Sequence, residues 1–317
     1  MTDTVTQIAE VHEAVASTDV TQRRRSSRSA KQQRRFRRVL LFVLLMVIAF
    51  VMAAPFIWML LTAVRTPQEL FSTDMPLLPA EWRWENFVTA LQTAPFLTYA
   101  RNSFIIAIGH TLSNIVLASM AGYALAKIRF RGATAVFAFV LASMMIPFYA
   151  IVIPEFLMVR HVPLFGYNDI LGQGGTGWID TWWALLVPGL VSPFNIFLFR
   201  QFFLSTPTEL MEAARIDGAG EFRIFGRIMA PLIRPGMLTV ALLAFESGWN
   251  NFLWPLLVTS RQEMRVIQLG LSVFRQEAGT DFNLLMAGTT MAAVPMIVLF
   301  AIFQRQFVNG MVASGIK

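Results

Sequence analysis

The sequence predicts an all-α membrane protein with six transmembrane helices and one shaped cytoplasmic segment between the fourth and fifth. Three observations lead there. Hydrophobic residues make up 56% of the 317 and charged residues only 14%, where an average soluble domain is about a quarter charged. The mean hydropathy is +0.56. Six uniformly apolar runs are long enough to cross a hydrocarbon core, which takes about 20 residues as a helix.

The runs follow in order. Val39–Val64 carries no charge, and Asn102–Ala126 has one titratable residue, His110. Ala133–Ile153 and Leu284–Phe303 have none, Trp183–Leu204 has Arg200 near one end, and Met237–Val258 has Glu246. Lipid offers the backbone no partners, so each run should be helical. Barrel strands would be about ten residues of alternating polarity. The first run is too long for a signal peptide, whose apolar core is about 7–15 residues, and reads as an uncleaved anchor. Between the first two runs, "EWRWENFVTALQTAPF" places Trp82 and Trp84 near Phe87, Leu91 and Phe96, an interfacial helix with aromatic anchors.

An even number of spans puts both termini on one side, and the positive-inside rule selects which. Residues 1–38, the loop "KIRFRG", residues 200–236 and the tail after 303 hold 19 Lys and Arg between them, against seven on the other side. Both termini and the 205–236 loop are therefore expected in the cytoplasm. Residues 1–38 read as a disordered basic tail beside anionic lipid, and residues 39–317 as the transmembrane domain. The basic cluster is a topology anchor, so no nucleic-acid partner is expected.

Several chemistries are excluded. There is no cysteine, so thiol catalysis and Cys-based metal sites are absent. No Gly-Lys pair occurs, and without it a P-loop cannot cradle phosphates. "GQGGTG", Gly172 to Gly177, matches a dinucleotide fingerprint, but that needs a strand before it and a helix after it. Here it falls in an external connection and reads as a flexible loop. His12, His110 and His161 are far apart, with no HExxH. No catalytic residue, metal or other cofactor is expected, and enzymatic activity is not expected of this chain.

The stretch "EAARIDGAGEFRIFGRIMAPLIRP", residues 212–235, interrupts this apolar chain with seven charged residues, three glycines and two prolines. Before it, Thr206, Pro207 and Glu209 have the spacing of a capping box with proline at N1. The helix should end at Gly218 and Gly220. A second short helix should run from Glu221 to Met229, with Pro231 and Pro235 breaking it before the fifth span. Leu210, Ala213, Ala214 and Asp217 share one small apolar face.

That stretch resembles the EAA loop of the inner-membrane permease subunits of binding-protein-dependent ATP-binding-cassette importers. Glu212, Ala213, Ala214, Gly218, Ile228 and Pro231 match the family pattern, and Ala230 stands where the family usually has Leu. The likeness covers about residues 39–317. "WNNFLWPLL", "LMAGTTMAAVP" and the ending "FVNGMVASGIK" look like the carbohydrate, maltose-permease branch. The resemblance implies that the chain forms half of a pathway for a sugar or related carbohydrate, and that a separate subunit hydrolyses ATP. It implies that Glu212, Ala213, Ala214, Asp217 and Gly218 form a coupling helix docking on that ATPase. The implied partners are a second, paralogous permease subunit, two ATPase subunits and an extracytoplasmic sugar-binding protein.

Polar residues within spans are functional candidates by default. His110, Asn114, Asn195, Glu246, Trp249, Asn250 and Asn251 are the candidate pathway residues, Trp249 as a stacking platform for a sugar ring. The alternative for each is an interhelical hydrogen bond. A self-contained channel or secondary transporter is the rival function; the repeated half-unit or several in-span charges common in that class are not evident here.

Overall fold

The structure, a computed structural model, describes residues 35–276 and 279–315. The described residues fall into two compact units, one up to residue 59 and one from residue 60. The expectation for residues 1–38 lies outside the described residues up to position 34. Among the described residues the only strands are a two-residue hairpin, β1 (Arg275–Gln276) against β2 (Gly279–Thr280).

Among the described residues four helices are long and apolar enough to cross a membrane alone: α1 (Arg35–Ala63), then Phe96–Lys127, Trp182–Leu204 and Phe282–Gln304. Two bent pairs pass the same test together, which makes six where each pair is one span. Short helices α2 (Pro67–Leu70) and α3 (Glu85–Thr93) follow α1. Asn86 of α3 donates to the carbonyls of Ala63 and Arg65 at 2.8 and 2.9 Å, satisfying acceptors that a helix end leaves open. The fully buried Arg65 donates to Glu69 and to the carbonyls of Pro76 and Leu77. Trp82, Trp84 and Phe87 stack in series at 6.0 and 6.2 Å.

The second span, α4 (Phe96–Lys127), is the central rod. It contributes Tyr99 to a cluster with Phe245, Trp249 and Phe274, Ile106 to one with Leu185 and Trp254, and Tyr123 to one with Phe199, Phe203 and Met229. Its Asn102 donates to the carbonyls of Glu263 and Arg265 at 2.7 and 2.9 Å, stitching the 259–266 connection onto the helix. A π segment, Asn114–Ala118, interrupts it.

The third and fifth runs depart from the expected single helices. α5 (Ala133–Met145) and α6 (Phe148–Arg160) meet at 103°. Pro147 forces its predecessor out of the helical region, and Ile146 is extended there. α7 (Trp182–Leu204) carries a 3₁₀ turn at Val187–Gly189, which contains Pro188, and resumes as an α-helix at Pro193. After α8 (Glu209–Ile216), α9 (Glu221–Leu232) bends by 85° into α10 (Arg234–Trp249). The expected Met237–Val258 span breaks at Asn250–Phe252 and resumes as α11 (Leu253–Val258). α12 (Ile267–Gly270) precedes the hairpin, and α13 (Phe282–Gly315) closes the chain.

The Gly172–Gly177 loop is tightly folded, against the expectation of flexibility. Asn168, itself buried, donates to the carbonyls of Arg160 and Val162 and accepts from Gly175. Asp169 accepts from the amides of Leu171 and Gln173.

Candidate functional site

Two regions carry the sequence-derived candidates. The first is α8 and its elbow. The predicted capping box does not form: Thr206 Oγ1 turns back to the carbonyl of Phe203, and Thr208 is the N-cap without a side-chain bond. Pro207 precedes the helix and is not in its first turn. The C-terminal end forms as the glycine pattern requires. Gly218 sits at φ +80°, its amide donating to Arg215 O and that of Ala219 to Ala214 O. Those two bonds make a Schellman turn, which needs a left-handed residue where glycine stands. Gly220, at φ −74°, does not share that role.

The expected face of α8 divides. Leu210, Ala213 and Asp217 are exposed with Glu212 and Gly218, and Ile216 is 87% exposed. Ala214 is turned inward, with Met211, against Tyr123 and Ile224. It pins the helix to the protein and is not part of the outward contact surface; the Met211–Ala214 pair, three apart, forms an inner stripe. Across the elbow, Arg215 pairs with Glu221 at 2.7 Å.

The second region is a cleft of about 510 Å³ between α4, α6, α7 and α10. It brings together His110, Asn114, Asn195, Glu246 and Asn251, and a smaller adjoining hollow adds Asn250. Several of these residues also join helices. His110 Nε2 lies 3.2 Å from Leu186 O. Asn114 donates to His110 O and Gly189 O, and accepts from the Ser192 amide and from Asn195 Nδ2. On the open side, Asn250 donates to Glu246 Oε1 at 2.8 Å and accepts from Gln268.

Trp249 is not a pathway residue in this arrangement. It is 2% exposed, its indole N–H donates to Ala292 O at 3.0 Å, and its ring stacks on Phe245. At the end of α10 it faces α13, and the cleft-lining Ser247, two residues before it, lies on the other side of the helix. Glu155 was missed. It lines both hollows, and among the described residues its carboxylate has no hydrogen-bond or ion-pair partner. The signal was a carboxylate next to Pro154 in "VIPEF", but a straight third helix ending at Ile153 put it outside the span. The bend at Pro147 returns it to the cleft wall.

Residues 114–311 match the family model described as "Binding-protein-dependent transport system inner membrane component". The chain belongs to that family. As a permease of this kind it is a multi-pass inner-membrane protein and a subunit of an ATP-binding-cassette importer. It is 35% identical over 273 residues to the arabinooligosaccharides transport system permease protein of Halalkalibacterium halodurans, covering 85% of this chain and 93% of the relative. It is 31% identical to the lactose transport system permease protein of Rhizobium radiobacter, covering 84% and 92%. It is 30% identical to the sn-glycerol-3-phosphate transport system permease protein of Yersinia enterocolitica, covering 78% and 85%. The fold is similar to that of a bacterial importer of the acidic polysaccharide alginate, with a TM-score of 0.70 and 23% identity over 86% of this permease and 97% of that chain.

Proposed function

We propose that this permease moves an uncharged carbohydrate, and that the 510 Å³ cleft is its share of the pathway. The observation that carries this is the chemistry of the cleft wall. Ser247, Asn250, Asn251, Glu155 and Glu246 offer hydroxyl, amide and carboxylate groups, and none of the described residues lining either hollow is Lys or Arg. Carboxylates and amides accept hydrogen bonds from hydroxyls, while two carboxylates repel an anion. Relatives named for arabinooligosaccharides and lactose fit that wall better than the relative named for glycerol phosphate.

In this reading the work is divided. A second, paralogous permease completes the pathway and an extracytoplasmic binding protein delivers the solute. Two ATPase subunits hydrolyse ATP, and the exposed side of α8 (Leu210, Glu212, Ala213, Asp217 and the Gly218 elbow) docks on one of them. Both termini and this loop lie in the cytoplasm, as the excess of basic residues on that side favours.

The test is uptake by the reconstituted importer of a panel of labelled neutral oligosaccharides, with glycerol phosphate and an oligouronate for comparison. ATP-dependent uptake of at least one neutral sugar, and of neither anion, is expected. Uptake of the anions alone would overturn the assignment.

A further inference from the structure

The cytoplasmic end of α4 grips the loop that carries α8. Tyr123 Oη donates to Glu221 Oε2 at 2.7 Å and lies 3.5 Å from Met211 Sδ. One turn on, Lys127 Nζ donates to the carbonyl of Thr206 at 2.7 Å. Residues four apart share a helix face, so one edge of α4 holds the chain before α8, α8 itself and the start of α9. Glu221 is the joint: its second oxygen accepts from Arg215 Nε at 2.7 Å, so one carboxylate links the last turn of α8 to α4.

The two sides of this joint differ in stiffness. Tyr123 is 3% exposed, with Phe203 and Phe225 each 5.4 Å from its ring, so its hydroxyl is fixed. The Arg215–Glu221 pair is 40% and 39% exposed and can yield. A cavity of about 200 Å³, lined by Met120, Ala124, Phe222 and Phe225, lies beside the carboxylate and gives the α9 end room to move. Further along, the same α4 presents His110 and Asn114 to the cleft. A π segment, Asn114–Ala118, lies between His110 and Tyr123, and such segments are frequent at functional sites.

We propose that Glu221 is a positioning residue of the transport cycle: through Tyr123 it makes α4 the connecting rod by which displacement of α8 reshapes the cleft. This rests on α8 being the coupling helix. The phenol–carboxylate bond is charge-assisted, the stronger kind of hydrogen bond, and the chain from α8 to the cleft wall is physically continuous, as coupling between distant sites requires.

The absence of cysteine makes the test direct. Ser247→Cys places a single thiol on this subunit in the cleft. In the complete importer, reconstituted with its binding protein, alkylation by a membrane-impermeant maleimide from the binding-protein side is timed without nucleotide and with ATP plus vanadate. A nucleotide-dependent change of about fivefold or more is expected, falling below about twofold when Tyr123→Phe or Glu221→Gln is added, the loss of a coupling of ordinary size. The two changes together should be no worse than either alone, since they break one link. The ATPase subunits should still co-purify. Retention of the full change in both variants would overturn the proposal, as would loss of the ATPase subunits from the complex, which would make the contact merely structural. If Ser247→Cys alone shows no change with nucleotide, the coupling reading of α8 fails and not only the joint.

Discussion

Asn195 of α7 donates its Nδ2 to Asn114 Oδ1 of α4 at 3.0 Å, and both residues are almost wholly buried. The same Oδ1 takes the Ser192 amide, just where α7 leaves its helical path. One carboxamide thus satisfies the backbone of a broken helix and fastens it to the central rod. Removing it leaves several buried groups unpaired, at about 1–3 kcal/mol each. Asn114→Ala is expected to lower the thermal midpoint of the detergent-solubilised protein. The Asn114→Ala, Asn195→Ala pair should be clearly less than additive. Additive losses would show that the two amides act independently.

Gly218 stands in open space at φ +80°, with nothing within 4 Å of a Cβ built there. Any penalty for Gly218→Val is therefore conformational, about 1–2 kcal/mol for a left-handed residue with a side chain. It acts on the Schellman turn that sets the direction of α8. The expected outcome is normal membrane insertion with binding-protein-stimulated ATP hydrolysis strongly reduced, while Gly218→Asn, which tolerates this conformation better, retains most of it. Equal activity of the two variants would argue against a role for the elbow's geometry.

Trp249 should behave as a core residue. Trp249→Phe keeps the stacking on Phe245 and loses the bond to Ala292 O, for a loss of about 1 kcal/mol. Trp249→Ala should cost about 3–5 kcal/mol and sharply reduce the yield of folded protein. Solute uptake per folded molecule should survive the Phe change. A selective loss of uptake with unaltered stability would restore Trp249 to the pathway.

Glu246 and Glu155 should act on solute. Glu246→Gln is expected to weaken half-saturation for uptake roughly tenfold, the size of a lost hydrogen bond to a charged group. Folding should be spared, because Glu246 is exposed in the cleft. Glu155→Lys should depress uptake of neutral sugars and relieve exclusion of an oligouronate. Unchanged uptake in both variants, at saturating and limiting solute, would remove the cleft from the pathway.

Much of this was legible in the sequence. Hydropathy located all six runs, since lipid imposes a length and composition that local context does not alter. Gly218 announced the elbow because the left-handed conformation selects its residue. What escaped was bending. Pro147 and the Asn250–Phe252 break fall inside runs whose mean hydropathy stays high, so hydropathy averages over them. That one omission hid Glu155. It also made Trp249 look like a pathway residue, because which side of a helix faces the cleft depends on packing against α13, and α10 is apolar nearly all round. The failed Thr206 cap has a similar origin: its hydroxyl had a nearer acceptor in the last turn of α7.

The break between α10 and α11 has a consequence for what fills the cleft when no solute is there. Each helix end exposes backbone amides or carbonyls without intrahelical partners, and Asn251 and Phe252, which lie in the gap, also line the hollow. At bilayer depth such backbone persists only against protein or water. On the pathway proposed above, the hollow is therefore a water-accessible chamber within a lipid-bounded protein. A sugar entering it exchanges one set of water hydrogen bonds for another of similar strength, so the net gain on entry is small. A small gain suits a transporter, which must release its cargo as readily as it accepts it.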